Sequence, residues 1–254
     1  MKYLKFIICF AGLLLDFSSA KIKNLPEYKK ERENIEKENK AEYLFELAVQ
    51  HRRGEEIKKD PVKAVELLHQ AEQLGHRRAL YALGCAYSDG DGVSQDYKKA
   101  IMYFEKAIAL GDSDAMAELG FMYLHGKGVK QDYAKARELY ELGVKHENKY
   151  ATNDLGTMYH FGKGVPQDYL KAKALYEKAV DWKRSDAILN LGILYQNGLG
   201  VKRDYNKAFI CFEQAATLNQ SGAFVELGSM YLKGQGVTQD YKKAMEYFER
   251  GMKH

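Results

Sequence analysis

Apolar residues recur three and four positions apart in short runs, and the runs return every 36 residues. Between Asp114 and His146, one helical stripe is made by Ala115, Met116, Leu119, Met122 and Tyr123, and a second by Tyr133, Ala136, Leu139, Tyr140 and Gly143. The first helix is expected to end at Gly126, where a residue without a Cβ adopts the left-handed conformation that closes helices. Gly128 permits the next bend, and Val129 is placed to tuck into the core. Asp132 then caps the second helix, its carboxylate accepting from exposed N–H groups at the positive helix end. Each unit therefore reads as helix A, a tight loop, helix B and a short connection.

The register does not slip. Leu-Gly occurs at Leu83-Gly84, Leu119-Gly120, Leu155-Gly156, Leu191-Gly192 and Leu227-Gly228, and Asp-Tyr ends at Tyr97, Tyr133, Tyr169, Tyr205 and Tyr241. A degenerate sixth copy precedes these five. There Ala48 replaces the glycine, Gly54 keeps the turn, and Asp60-Pro61 supplies a cap followed by proline at the first helical position. A fixed period of this length specifies stacked repeats that bury their apolar faces against each other. A small residue in the middle of helix A lets helix B approach closely, which offsets a helix-propensity cost of roughly 1 kcal/mol. Residues 42–254 are thus expected to form the repeat array. Residues 21–41 are mostly charged, with sparse Leu25, Tyr28 and Ile35, and read as a loosely docked helix or mobile arm.

The string Ala-x-x-x-Leu-Gly-x-x-Tyr-x-x-Gly-x-Gly-Val, then Asp-Tyr-x-Lys-Ala, resembles the Sel-1-like repeat family. In one copy it covers residues 115–129, then Asp132-Tyr133 and Lys135-Ala136. Tetratricopeptide arrays are similar, but their repeat is shorter, at about 34 residues, and lacks the Gly-x-Gly-Val loop. The resemblance implies an all-α fold, a right-handed α/α superhelical solenoid whose A helices line a concave groove, and a role in scaffolding protein assemblies. One secreted bacterial branch with cysteine pairs in each repeat carries the name β-lactamase. The corresponding positions here hold Ile108, Met116, Val180 and Ile188, so the paired cysteines of that branch are missing.

Composition changes the picture at the N-terminus and little elsewhere. Lys2 and Lys5 precede an apolar run from Phe6 to Leu15, and Ser18-Ser19-Ala20 offers a cleavage site. Residues 1–20 read as a signal peptide, giving an exported chain that begins near Lys21, periplasmic or secreted in a bacterium, or lumenal in the endoplasmic reticulum. The formal charge of +4 falls by the +1 that Lys2, Lys5 and Asp16 contribute together, leaving +3. Charges of both signs are interspersed, so no basic stripe for nucleic acid is present. After leader removal Cys85 and Cys211 remain, six helix steps apart, and two thiols rather than a disulfide are expected.

Catalytic chemistry finds little support. The Ser-x-x-Lys spacing of a serine β-lactamase occurs at Ser18 to Lys21, astride the leader cleavage site, and Lys-Thr-Gly does not occur. A β-lactamase or penicillin-binding-like hydrolase is the alternative to a non-enzymatic scaffold. The five Gly-x-Gly turns lack the strand and lysine of a phosphate cradle, so no cofactor is expected. His125 and His160 read as rim histidines with no convergent partner for a metal. Trp182 falls where leucine stands in other copies and reads as a contact between repeats. The positions on helix A left free by the repeat are the candidate groove: Tyr81, Cys85, Ser88, Ala117, Phe121, Leu124, Asn153, Thr157, His160, Leu189, Ile193, Gln196, Val225, Ser229 and Leu232. This mixture suits a peptide or partner protein, with Tyr81 and Phe121 as aromatic anchors. The last helix, with Tyr247 and Phe248 near its end, reads as an open end able to dock a partner or a second copy.

Overall fold

The expected signal peptide lies outside the residues that the computed structural model describes, 26–55 and 57–253. Every regular element among them is an α-helix. In chain order these are α1 (Pro26–Arg53), α2 (Pro61–Gln73), α3 (Arg77–Asp89), α4 (Tyr97–Ala109), α5 (Ser113–His125) and α6 (Tyr133–Lys145). They continue as α7 (Lys149–Phe161), α8 (Tyr169–Val180), α9 (Ser185–Asn197), α10 (Tyr205–Thr217), α11 (Ser221–Lys233) and α12 (Tyr241–Met252). The chain divides into two compact units, Met1–Ala79 and Leu80–His254.

In the first unit, α1 is one unbroken helix of 28 residues that crosses the expected boundary at residue 41. Its burial begins at Ala41. From there Ala41, Leu44, Phe45 and Ala48 supply the apolar face that meets Ala64, Val65, Leu67, Leu68 and Ala71 of α2. Asp60 caps α2 by accepting from the Lys63 N–H at 2.9 Å, with Pro61 at the first helical position. Phe45 is also covered by the His76 ring at 4.5 Å and the Arg78 guanidinium at 4.5 Å.

The second unit repeats one design. Odd-numbered helices carry Leu-Gly and even-numbered helices lay an aromatic ring across that glycine. A Cβ added at Gly84 would lie 2.5 Å from the Phe104 ring, at Gly120 2.7 Å from Tyr140, and at Gly156 2.8 Å from Tyr176. Phe212 and Phe248 cover Gly192 and Gly228 in the same way. The helix-to-helix approach expected from the small residue is what the structure shows.

A second glycine joins successive repeats. Gly128 adopts φ +70°, and its added Cβ would fall 2.1 Å from the Tyr97 Cβ of the preceding repeat. Gly164 meets Tyr133 and Gly200 meets Tyr169 likewise. The Asp-Tyr motif thus does two jobs on adjacent residues. Aspartate caps its own helix by accepting, at 3.0–3.1 Å, from the N–H of the third helical residue. Tyrosine seats the loop of the next repeat. A third recurring bond closes the A helices, because the side-chain amides of Gln95, Gln131 and Gln167 donate at 2.8 Å to the carbonyls of Ser88, Leu124 and His160. Cys85 and Cys211 are both thiols, with no disulfide between them, and burial pushes the Cys211 thiol up to about 11.

Candidate functional site

The candidate residues fall into three rows along α3, α5, α7, α9 and α11, counted from the leucine of Leu-Gly. Two positions after it stand Cys85, Phe121, Thr157, Ile193 and Ser229. All five are half-buried, so part of each side chain faces solvent. Two positions before it stand Tyr81, Ala117, Asn153, Leu189 and Val225, and five after it Ser88, Leu124, His160, Gln196 and Leu232. In these rows Ala117, Leu124, Asn153 and His160 are buried, while Val225 and Leu232 are exposed.

Contact with the following A helix explains the split. Leu189 of α9 lies against Gly222 of α11, where an added Cβ would come within 2.9 Å of it. The next residue, Asn190, reaches back to Asn153 Oδ1 at 3.5 Å. The two flanking rows therefore pack one A helix on the next. They emerge at α11, where no further A helix follows among the described residues.

His160 departs furthest from the rim placement expected of it. It is 5% exposed, stacks on Phe161 at 4.3 Å, and its Nδ1 lies 3.3 Å from the Tyr176 hydroxyl. Burial lowers its pKa below the ordinary 6.5. The unfolded chain therefore takes up a proton first as pH falls through 6.5, and stability drops with acidification until the folded histidine also titrates. Thermal melts at pH 7.5 and pH 5 should show a larger acid loss for the wild type than for His160→Leu, which copies Leu124. Equal losses would show that the burial of His160 is not being felt.

His125, the other expected rim histidine, is exposed and lies 4.3 Å from Phe121. Trp182 is half-buried, with the Lys178 ammonium 5.7 Å from its ring. Tyr247 and Phe248 are turned into their own repeat, against Tyr231 at 5.6 Å and over Gly228. The exposed apolar residues of α12 are instead Tyr241, Met245 and Met252.

A row of acidic and amide residues one position before the leucine, Glu118, Asp154, Asn190 and Glu226, is not among the expected groove positions. They sit inside the repeating motif itself, where the leucine beside them draws the eye. Gln196 donates to Glu226 at 3.2 Å. One turn earlier, Asn148 donates to Asp114 at 2.7 Å, and Gln220 donates to Asp186. Arg184 pairs with Asp186 at 2.5 Å.

Glu118 and Asp154 are the two carboxyls of this row that burial raises. Burial first, and then Asp89, Asp154 and Asp114, raise the Glu118 carboxyl although much of its side chain reaches solvent. Burial likewise raises the half-buried Asp154, against a 3.0 Å bond from Asn153 and the charge of Arg184. Among the described residues no group of three or more histidine, cysteine, aspartate or glutamate side chains has the geometry to hold a metal ion. None of the described helices is long and apolar enough to cross a membrane.

Paired helices returning at a fixed period, with a ring seated on a glycine in each of the last five pairs, define an all-α solenoid of helix–turn–helix repeats. The Sel1 repeat model matches residues 41–76, 77–112, 113–147, 149–181, 185–220 and 225–251, and the chain belongs to that family. A Sel1 repeat protein from Oxalobacter formigenes is similar over 92% of this chain and 92% of its own, with 29% identity and a TM-score of 0.79. A protective antigen present in uropathogenic Escherichia coli strains is 32% identical, with a TM-score of 0.72. It is matched over 91% of this chain but 48% of its own length, so this chain spans about half of it. An immunity protein from Pseudomonas aeruginosa shares the fold at 21% identity, with a TM-score of 0.59 over 84% of this chain and 81% of its own. A search of the curated proteins finds no match.

Proposed function

We propose that this protein is an exported, non-enzymatic interaction scaffold whose A-helix face holds a peptide or a segment of a partner protein. Sel1 repeats commonly mediate protein interactions, and the observation that carries the reading for this chain is the half-exposed row Cys85, Phe121, Thr157, Ile193 and Ser229. These side chains vary from repeat to repeat, and the exposed part of each is not used by the repeat's own core. Export rests on the charged-then-apolar leader of residues 1–20.

Phe121 and Tyr81 are the expected anchors, because aromatic rings bring large contact area with few rotatable bonds. Phe121 is half-buried, with the Lys127 ammonium 4.8 Å from its ring centre. Alanine at either position should weaken capture of the native partner by about tenfold or more while leaving helical content unchanged. Crosslinking in the native compartment followed by capture on the purified variants measures this, and undiminished capture would sink the assignment of the face. N-terminal sequencing of the mature protein checks export, with a start near Lys21 expected.

A further inference from the structure

One loop of the second unit breaks a pattern that the others share. The glutamine before the capping aspartate donates to a carbonyl near the end of helix A, through Gln95, Gln131, Gln167 and Gln239 at 2.8–2.9 Å. In the loop between α9 and α10 that place belongs to Arg203. Its side chain is exposed, with the guanidinium 5.4 Å from the centre of the Tyr205 ring.

Arg203 stands at the junction of two clefts. The first, of about 350 Å3, opens between α9 and α11 and is bounded by Gln196, Arg203, Val225, Glu226, Ser229 and Lys233. Gln196, Val225 and Ser229 are candidate groove positions, so this cleft belongs to the A-helix face. The second, of about 820 Å3, borders the loops, where Lys173, Lys202 and Lys207 join Arg203.

The charge on these clefts is mostly of one sign. Lys173 pairs with Glu177, and Lys207 lies 4.0 Å from Asp204. Arg203, Lys202 and Lys233 are exposed and take part in no ion pair among the described residues. Glu226, the carboxylate on the smaller cleft, already accepts from Gln196 at 3.2 Å. Tyr205 borders both clefts, and its hydroxyl accepts from Gln235 at 3.3 Å, which leaves its proton for another acceptor. The equivalent pairs of positions in earlier repeats are Gln95 with His125, Gln131 with Phe161 and Gln167 with Asn197. Arg203 with Lys233 is the pair that puts two fixed positive charges on one cleft.

We propose that the cleft between α9 and α11 takes the carboxylate of an aspartate or glutamate carried by the segment on the A-helix face. Arg203 supplies the planar fork that matches a carboxylate, and Lys233 and the Tyr205 hydroxyl complete the donors. Further acidic residues of the same segment run toward Lys202 and Lys207 in the larger cleft, where positive charge predominates and attracts them. The occupant is therefore an acidic peptide segment. The proposal deepens the scaffold reading and rests on it.

The test titrates the 15N-labelled protein at low salt with a blocked Gly-Glu-Glu-Glu-Gly peptide, its glutamine counterpart and inorganic phosphate. Saturable shifts at Arg203 and Lys233 are expected with the glutamate peptide and not with the glutamine one. Arg203→Gln restores the residue of the other loops, so its thermal midpoint should stay level or rise. It should nevertheless bind the glutamate peptide about tenfold more weakly, the worth of one charge-assisted pair. Lys130→Gln, at the position equivalent to Lys202 two repeats earlier, should leave the affinity unchanged. Unchanged affinity in Arg203→Gln, shifts spread equally over Lys98, Lys130 and Lys242, or half-saturation by phosphate at a lower concentration than by the peptide would each overturn the proposal. If Phe121→Ala still weakens partner capture in that case, the scaffold reading stands without it; if capture is also unaffected, both fall.

Discussion

Gly128→Ala is expected to destabilise the second unit and to broaden its unfolding transition. The added methyl would sit 2.1 Å from the Tyr97 Cβ, a separation that cannot persist, and the backbone is held at φ +70°. The left-handed conformation alone costs an alanine about 1 kcal/mol. Relieving the overlap means moving either the loop or the first turn of α4, and overpacking of this kind costs about 1–3 kcal/mol more. Gly111→Ala isolates the first contribution, since Gly111 has φ +80° but no atom within 4 Å of its added Cβ. Guanidinium unfolding of the pair should show about 1 kcal/mol lost for Gly111→Ala and a loss at least twice as large for Gly128→Ala. Because Gly128 and Tyr97 belong to different repeats, the larger loss falls on the coupling between repeats. In a linear array that coupling is what makes unfolding cooperative, so the transition should also broaden. Equal losses in the two variants would show that the tyrosine seat contributes nothing.

The features legible in the sequence are those that every repeat needs. Leu-Gly, the turn glycines and the aspartate caps recur because each repeat solves the same local problem, and the structure places all of them as expected. What one copy at a time does not reveal is which side of helix A its neighbour covers. Ala117, Leu124, Asn153 and His160 are as free of repeat consensus as Phe121, yet neighbouring helices bury them, with Asn190 of the following A helix beside Asn153 and the Tyr176 ring of helix B beside His160. Val225 and Leu232 hold the same positions and are 49% and 41% exposed, because α11 has no following A helix among the described residues. Burial there is a property of a position in the stack, and no residue type encodes it. Asn153 and His160 make the point most sharply, since polar side chains at those positions suggest a wet surface.

The acidic row was hidden for the opposite reason. Glu118 and Asp154 stand beside the most regular residues of the motif, where a repeat-based reading attends to leucine and glycine. Both lie near the hydroxyl of Tyr140, which is 22 residues from Glu118 in sequence and reaches them only because its ring crosses Gly120. The same glycine that lets two helices approach thus carries a hydroxyl from helix B toward the face formed by the A helices. The approach of the two helices and the placement of that hydroxyl are coupled through one contact, so a change that displaces the ring acts on both.

Gly156→Leu puts that coupling to its most severe test, in the repeat where the ring's hydroxyl is satisfied. A Cβ at this position would lie 2.8 Å from Tyr176 Cε1 and 3.3 Å from Leu175 Cβ, before the rest of leucine is added. Replacing glycine in mid-helix gains about 1 kcal/mol of helix propensity. Overpacking a fully buried ring costs about 3 kcal/mol. Pushing Tyr176 aside also separates its hydroxyl from Thr157 and His160, and each such bond is worth about 1 kcal/mol. The net expectation is a loss of about 3–4 kcal/mol, with burial outweighing propensity because Tyr176 is 0% exposed and has no room to turn. His160 would be released along with the ring, so the variant should also lose the acid sensitivity that a buried histidine confers. Thermal and pH-dependent unfolding read both effects together. A midpoint equal to that of the wild type would mean that helix A and helix B do not depend on this glycine for their approach.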